Sequence, residues 1–129
     1  MIEEPLHPLA LEGPETTARI VKDWLIDGRK SASGVIGVDD ACRVVSVRTF
    51  QHMLTQPTLN FGLDAAVGAS AKGIVAYNVM EEEPPELDRA FTAKLGAVCE
   101  ALNMTLLDVL LYSQQLPKGW LSARQQGFI

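Results

Sequence analysis

The sequence predicts a single α/β domain in which helices pack against a mixed β-sheet, and three observations carry that prediction. Two β-type segments stand early in the chain on either side of an Asp-Asp pair, a combination typical of a hairpin. Two later apolar strands each follow a helical pattern, as in a sheet covered by helices. A length of 129 residues is enough for one domain with its own core.

The domain is expected to span residues 15–129, after an extended, proline-rich segment at 1–14. A helix should begin with Thr16 or Thr17 as N-cap, because both residue types accept a backbone hydrogen bond at a helix start. It should end near Gly28, since apolar residues recur on one helical face up to that point.

Segments 35–38 and 42–50 are predicted to form the hairpin. The first has no alternation of apolar and polar residues, which predicts burial on both faces. The rest of the chain alternates loops, helices and strands. The predicted elements are a loop at 56–58, helices at 61–71 and about 85–103, strands at 73–79 and 106–112, and a short final strand at 119–122.

The composition makes several classes of function unfavourable. Sixteen acidic against eleven basic residues give a net charge of −5, so nucleic acid is not an expected partner. No apolar run approaches the ~18 residues of a membrane span, and an acidic start with Pro5 and Pro8 does not resemble a signal peptide. Cys42 and Cys99 share no metal-binding spacing and are expected to be reduced, buried thiols, in keeping with a cytoplasmic location.

Four segments, taken in order, are similar to segments of one known family. They are VDDACRVVSV at 38–47, IVAYN at 74–78, LNMTLLDVLL at 102–111 and GWLSAR at 119–124. Together with the order of elements they resemble the JAB/MPN (JAMM) domain, most closely its bacterial RadC-like branch, over about residues 15–129. The resemblance implies a cytidine-deaminase-like α/β sandwich. It also brings the DNA-repair name attached to that branch, which the acidic composition does not favour.

Metalloenzymes of that family hold zinc with two histidines at i and i+2 and an aspartate, and a glutamate acts as general base on the zinc-bound water. Here Tyr77 and Val79 stand at the histidine positions. Arg48, or Arg43 if the match is shifted, stands at the glutamate position, and a guanidinium accepts no proton near neutrality. Asp88 corresponds most nearly to the aspartate, although it falls short of the family spacing.

These departures predict a domain with no catalytic residues, no metal ligands and no cofactor. Its vestigial cleft would consist of Arg48, Tyr77, Val79 and Asp88. Such a domain is expected to act as a protein-binding or assembly module, with a protein partner or a second copy of itself, and not at a membrane.

The alternative is a metal-dependent hydrolase, a JAMM-type peptidase or isopeptidase whose metal site is rebuilt from His52, Asp88 and the glutamates at 81–83. Two smaller expectations concern side chains of the cleft. The Tyr77 hydroxyl should reach solvent from the core edge. Arg48 is either an exposed arginine that contributes little to stability, or it forms an ion pair with Asp88 or the glutamates. The apolar residues 127–129 should either fold onto their own domain or dock on a partner copy.

Overall fold

The computed structural model describes residues 11–27, 32–80 and 86–129. Within these ranges the chain forms three α-helices and one five-stranded mixed sheet, which confirms the predicted α/β class. In chain order the elements are α1 (Pro14–Val21), β1 (Ser33–Val38), β2 (Val44–Phe50), α2 (Gln56–Gly68), β3 (Gly73–Val79), α3 (Arg89–Ala101), β4 (Thr105–Tyr112) and β5 (Trp120–Ser122). The first helix continues as a π-helical turn at Lys22–Ile26.

The sheet has the strand order β2-β1-β3-β4-β5. β1 is antiparallel to both of its neighbours, so the predicted hairpin of β1 and β2 is confirmed. β3 and β4 are parallel and are connected through α3, as a parallel pair requires a crossover. β5 adds antiparallel to β4, which leaves β2 and β5 at the two edges.

Helices cover both faces of the sheet, and the sheet separates the core into two parts. On one side, here called the α1 face, Val21 and Leu25 belong to a buried cluster with Ile36. On the other side, the α2/α3 face, Leu63 and Leu95 belong to a second buried cluster. Because successive residues of a strand point to opposite faces, the strand register decides which residues can meet.

α1 begins earlier than predicted. Its N-cap is Gly13, whose φ of 95° suits glycine, and Pro14 is the first helical residue. Proline fits this position because its fixed φ is helical and a first-turn N–H would have no partner in any case. The prediction of Thr16 or Thr17 as N-cap is therefore wrong, and Thr17 is instead buried on the inner side of the helix.

The predicted loop at 56–58 is also wrong, because these residues open α2. Thr55 is the N-cap, and its side chain accepts a hydrogen bond from the Thr58 N–H. The Thr55 N–H donates in return to Thr58 Oγ1 at 2.8 Å, which completes a capping box. Pro57 lies in the first turn, where it removes no helical hydrogen bond. The predicted start of the next helix, near residue 85, falls at the edge of 81–85, outside the described residues.

The hairpin turn extends further than predicted, since β2 begins at Val44 and Cys42 lies in the turn with φ 63°. Asp39 organises the turn: its Oδ1 accepts hydrogen bonds from the N–H groups of Ala41 and Arg43, both at 2.9 Å. Cys42 is only partly buried, so the prediction of a buried thiol is wrong there and right for Cys99.

The C-terminal residues fold back onto their own domain, the first of the two predicted alternatives. The Phe128 N–H donates to the Ala123 carbonyl at 2.9 Å, and its ring packs against the core of the α2/α3 face. The Arg89 guanidinium lies over the same ring, 4.5 Å from its centre.

Candidate functional site

Tyr77 lies on β3, on the α1 face, and its side chain is 0% exposed. The expectation that its hydroxyl reaches solvent is therefore wrong. Its ring meets that of Tyr112 edge to face, with ring centres 6.2 Å apart. Gly34, its partner on β1, makes room for the ring, because a Cβ at that position would lie 2.5 Å from a ring carbon of Tyr77. Val79 follows on the same face and packs against the same cluster.

Tyr112 ties this cluster to the first helix. Its hydroxyl donates a hydrogen bond to the Ala18 carbonyl of α1 at 2.6 Å. Burial raises the pKa of the Tyr112 phenol, so the group stays protonated and remains a donor. The position at which the resemblance places the first zinc-binding histidine thus belongs to a tightly packed aromatic pair.

Arg48 lies on the opposite face of the sheet from Tyr77. It pairs with Val35 of β1, whereas Tyr77 pairs with the next residue, Gly34. Its guanidinium is directed toward α2 and lies over the Phe61 ring, 5.7 Å from the ring centre. Arg48 and Tyr77 therefore do not line one cleft. Of the two alternatives for Arg48, the structure has the exposed arginine, and an ion pair between Arg48 and Asp88 is not among the salt bridges of the described residues.

Asp88 is the N-cap of α3, and its Oδ1 accepts a hydrogen bond from the Phe91 N–H at 3.0 Å. This is an ordinary helix-capping role for a carboxylate. Asp88 also borders a cavity of about 320 Å³ at the carboxyl ends of β3 and β4, together with Asn78 and Met80. The glutamates at 81–83 lie outside the described residues.

The residues at the positions where the resemblance places the metal ligands do not fit zinc. Tyr77 and Val79 are packed among apolar side chains, and Asp88 caps a helix on the other side of the sheet. His52, proposed for a rebuilt site, is exposed and its Nδ1 lies 3.1 Å from the Met53 carbonyl. Within 11–27, 32–80 and 86–129, no three His, Cys, Asp or Glu side chains come close enough together to hold a metal ion.

Among the described residues, a buried carboxylate is the centre of the most extensively hydrogen-bonded polar site. Asp108 on β4 is 3% exposed, and its Oδ2 accepts a hydrogen bond from Ser122 Oγ at 2.6 Å. Its Oδ1 accepts from the N–H groups of Val109 at 2.8 Å and Arg124 at 3.0 Å. These donors fix β5 and the turn after it to β4. A lone aspartate within the apolar run LLDVLL was the sequence signal for this site.

An open groove of about 860 Å³ lies between β2 and α2. Two arginines, Arg43 and Arg48, line it on the strand side. Its helix side consists of small residues, Ala65, Gly68 and Ala69. The sequence interpretation did not identify this groove, although the small residues of α2 were visible as an Ala/Gly-rich pattern.

No family model matches this chain, and no curated protein matches it. In the part of the chain that the structure describes, no helix has both the length and the apolar character needed to cross a bilayer.

Proposed function

We propose that this chain is a RadC-like JAB/MPN domain without catalytic activity that works as a protein-binding or assembly module. One observation carries the proposal. The positions that would hold the metal and the general base carry Tyr77, Val79 and Arg48, and these side chains lie on opposite faces of the sheet. Neither the ligands nor the geometry for zinc hydrolysis are present at these positions.

The family assignment is supported by the order of elements. Helix, hairpin, helix, strand, helix and two strands follow one another in the order on which the resemblance rests. Two of the similar segments also contact each other, since Asp108 of LNMTLLDVLL accepts hydrogen bonds from Ser122 and Arg124 of GWLSAR. The contact joins β5 and the turn after it to β4.

The binding role is supported by surface features. Several large apolar side chains are exposed, among them Phe61 at 58% and Val67 at 48% on α2. Arg48, which lines the open groove, lies over the Phe61 ring, and an exposed apolar group beside an open groove is typical of surfaces that contact other proteins.

The test is metal content together with thermal stability. The full chain is produced in zinc-supplemented medium, and its metal content is measured by inductively coupled plasma mass spectrometry. We expect far less than one zinc per chain, and no rise in melting temperature with added zinc or manganese, because a ligand that does not bind the folded state cannot stabilise it.

One firmly held zinc per chain would overturn the proposal and would favour the metal-dependent hydrolase. In that case, His52→Ala and Asp88→Ala would report whether these residues belong to the metal site. The matched control is Asp64→Ala, which removes an exposed carboxylate from α2.

A further inference from the structure

β2 is an edge strand of seven residues. It pairs with β1 on one side, and no strand in the described ranges pairs with its other side. The Phe50 carbonyl accepts a hydrogen bond from the Ala32 N–H, so it points toward the β1 side. Because backbone groups alternate along a strand, the N–H and carbonyl of Thr49 point outward. An open edge of this kind can pair with a further strand.

The groove between β2 and α2 runs beside that open edge. On its helix side, Gly68 leaves free space, since a Cβ added there would meet no atom within 4 Å. On its strand side, Val45 is 39% exposed at the bulged end of β2. An open strand edge next to a helix is the arrangement in which an extended peptide joins a sheet, with main-chain hydrogen bonds on one side and side-chain pockets on the other.

The charge of the groove selects among possible occupants. Asp39 offsets Arg43, with Oδ2 and Nε 3.5 Å apart. Arg48 is exposed over the Phe61 ring, and no carboxylate of the described residues forms a salt bridge with it. A second copy of β2 would bring a second Arg48 to the shared edge, where like charges destabilise strand pairing. An acidic strand would instead pair with them.

We propose that the groove binds an extended acidic peptide, which joins β2 as a sixth strand of the sheet. Its acidic side chains face Arg48, and small or β-branched side chains enter the space beside Gly68. This inference rests on the proposed protein-binding function and names the chemistry of the partner.

The probe is a random dodecapeptide library displayed on phage and selected on the immobilised full-length chain. We expect enriched peptides in which Glu or Asp and Val, Ile or Thr stand two residues apart, because residues i and i+2 of a strand lie on the same face and both must face α2. The best peptide is then synthesised with a fluorescent label, and its affinity is measured by anisotropy. Raising the salt concentration should weaken binding, because the contact with Arg48 is exposed and therefore screened.

Two variants remove different parts of the groove. Arg48→Glu reverses its charge, and Gly68→Leu fills its helix side; each should weaken binding by at least about tenfold. Gly68→Leu also replaces a helical glycine by a better helix former, so its melting temperature should not fall. Arg19→Glu is the matched control. It makes the same charge change at an exposed position of α1, on the other face of the sheet, and should leave the affinity unchanged.

The outcomes separate this inference from the function on which it rests. No enrichment, or enriched peptides that bind both groove variants as tightly as the unchanged chain, would overturn the groove assignment. The metal measurement decides the proposed function independently of this result. A dimer detected by sedimentation that Gly68→Leu dissociates would also overturn the peptide assignment, because a second copy would then occupy the groove.

Discussion

Removal of the Asp108 carboxylate should weaken the attachment of β5 and the turn after it to β4. Asp108→Ala leaves three donors without their acceptor: Ser122 Oγ, and the N–H groups of Val109 and Arg124. Ser122 is 1% exposed, so its hydroxyl has little access to water that could replace the lost acceptor. Hydrogen bonds to a charged group contribute about 1.5–3 kcal/mol each, and the two that join β4 to other segments account for most of the loss.

Part of that loss is offset, because alanine also removes the cost of keeping a carboxylate away from water. The net decrease in unfolding free energy should be about 3 kcal/mol, a large share of the ~5–15 kcal/mol of an ordinary domain. Asp108→Asn is the matched control. It keeps one oxygen acceptor and turns an amide donor toward Ser122, so its loss should be only about 1 kcal/mol.

The assay is urea unfolding at neutral pH, followed by tryptophan fluorescence and far-UV circular dichroism. Trp120 begins β5 and reports locally on the segment that Asp108 holds. A double-mutant cycle with Ser122→Ala isolates the contact between the two side chains and should give a coupling energy of about 1–2 kcal/mol. A loss below about 1 kcal/mol for Asp108→Ala, or strictly additive effects in the cycle, would refute the reasoning.

Two further predictions concern packing and pH. Gly62→Ala should destabilise the fold by about 2 kcal/mol in the same urea assay, since a Cβ there would lie 2.5 Å from the Val35 Cβ. Gly68→Ala, on the same helix but with open space around it, should instead stabilise by about 0.5–1 kcal/mol; equal effects of the two changes would contradict the packing described here. Burial raises the pKa of Cys99 from 9.0 to about 11, so the folded state favours the neutral thiol. The contribution of this thiol to the unfolding free energy is complete below pH 9 and is lost as the pH rises toward 11, a decrease on the order of 2 kcal/mol. The decrease should be smaller in Cys99→Ala. If the unchanged chain shows no such decrease, the thiol is not held in its neutral form.

Much of the fold was predictable because the signals are local. The Asp-Asp turn between two β-type segments predicted the hairpin, and apolar runs predicted β3 and β4. The errors lie at helix starts. Pro14 was assigned to the extended segment before the first helix and Pro57 to a loop, whereas both lie in the first turn of a helix. Proline is compatible with a loop and with the first helical turn alike, so the residue alone does not decide between them.

The candidate site was less predictable, because it depends on register between distant strands. The sequence by itself determined which residue types stand at the supposed metal positions, and therefore that Tyr77 and Val79 are unsuited to zinc. Only the tertiary structure decided that Tyr77 and Arg48 point to opposite faces. The pairing of β1 with β2 and β3 sets that relation, and a shift of one residue would reverse it.

The groove between β2 and α2 was likewise decided by tertiary structure. The sequence contains the small residues in and after α2 and the arginines at 43 and 48, but the two groups lie about twenty residues apart in the chain. They come together because α2 packs over β1 and β2, with Gly62 against Val35, and because β2 ends the sheet. Which strand lies at an edge follows from the pairing of all five strands, and no local pattern carries that information.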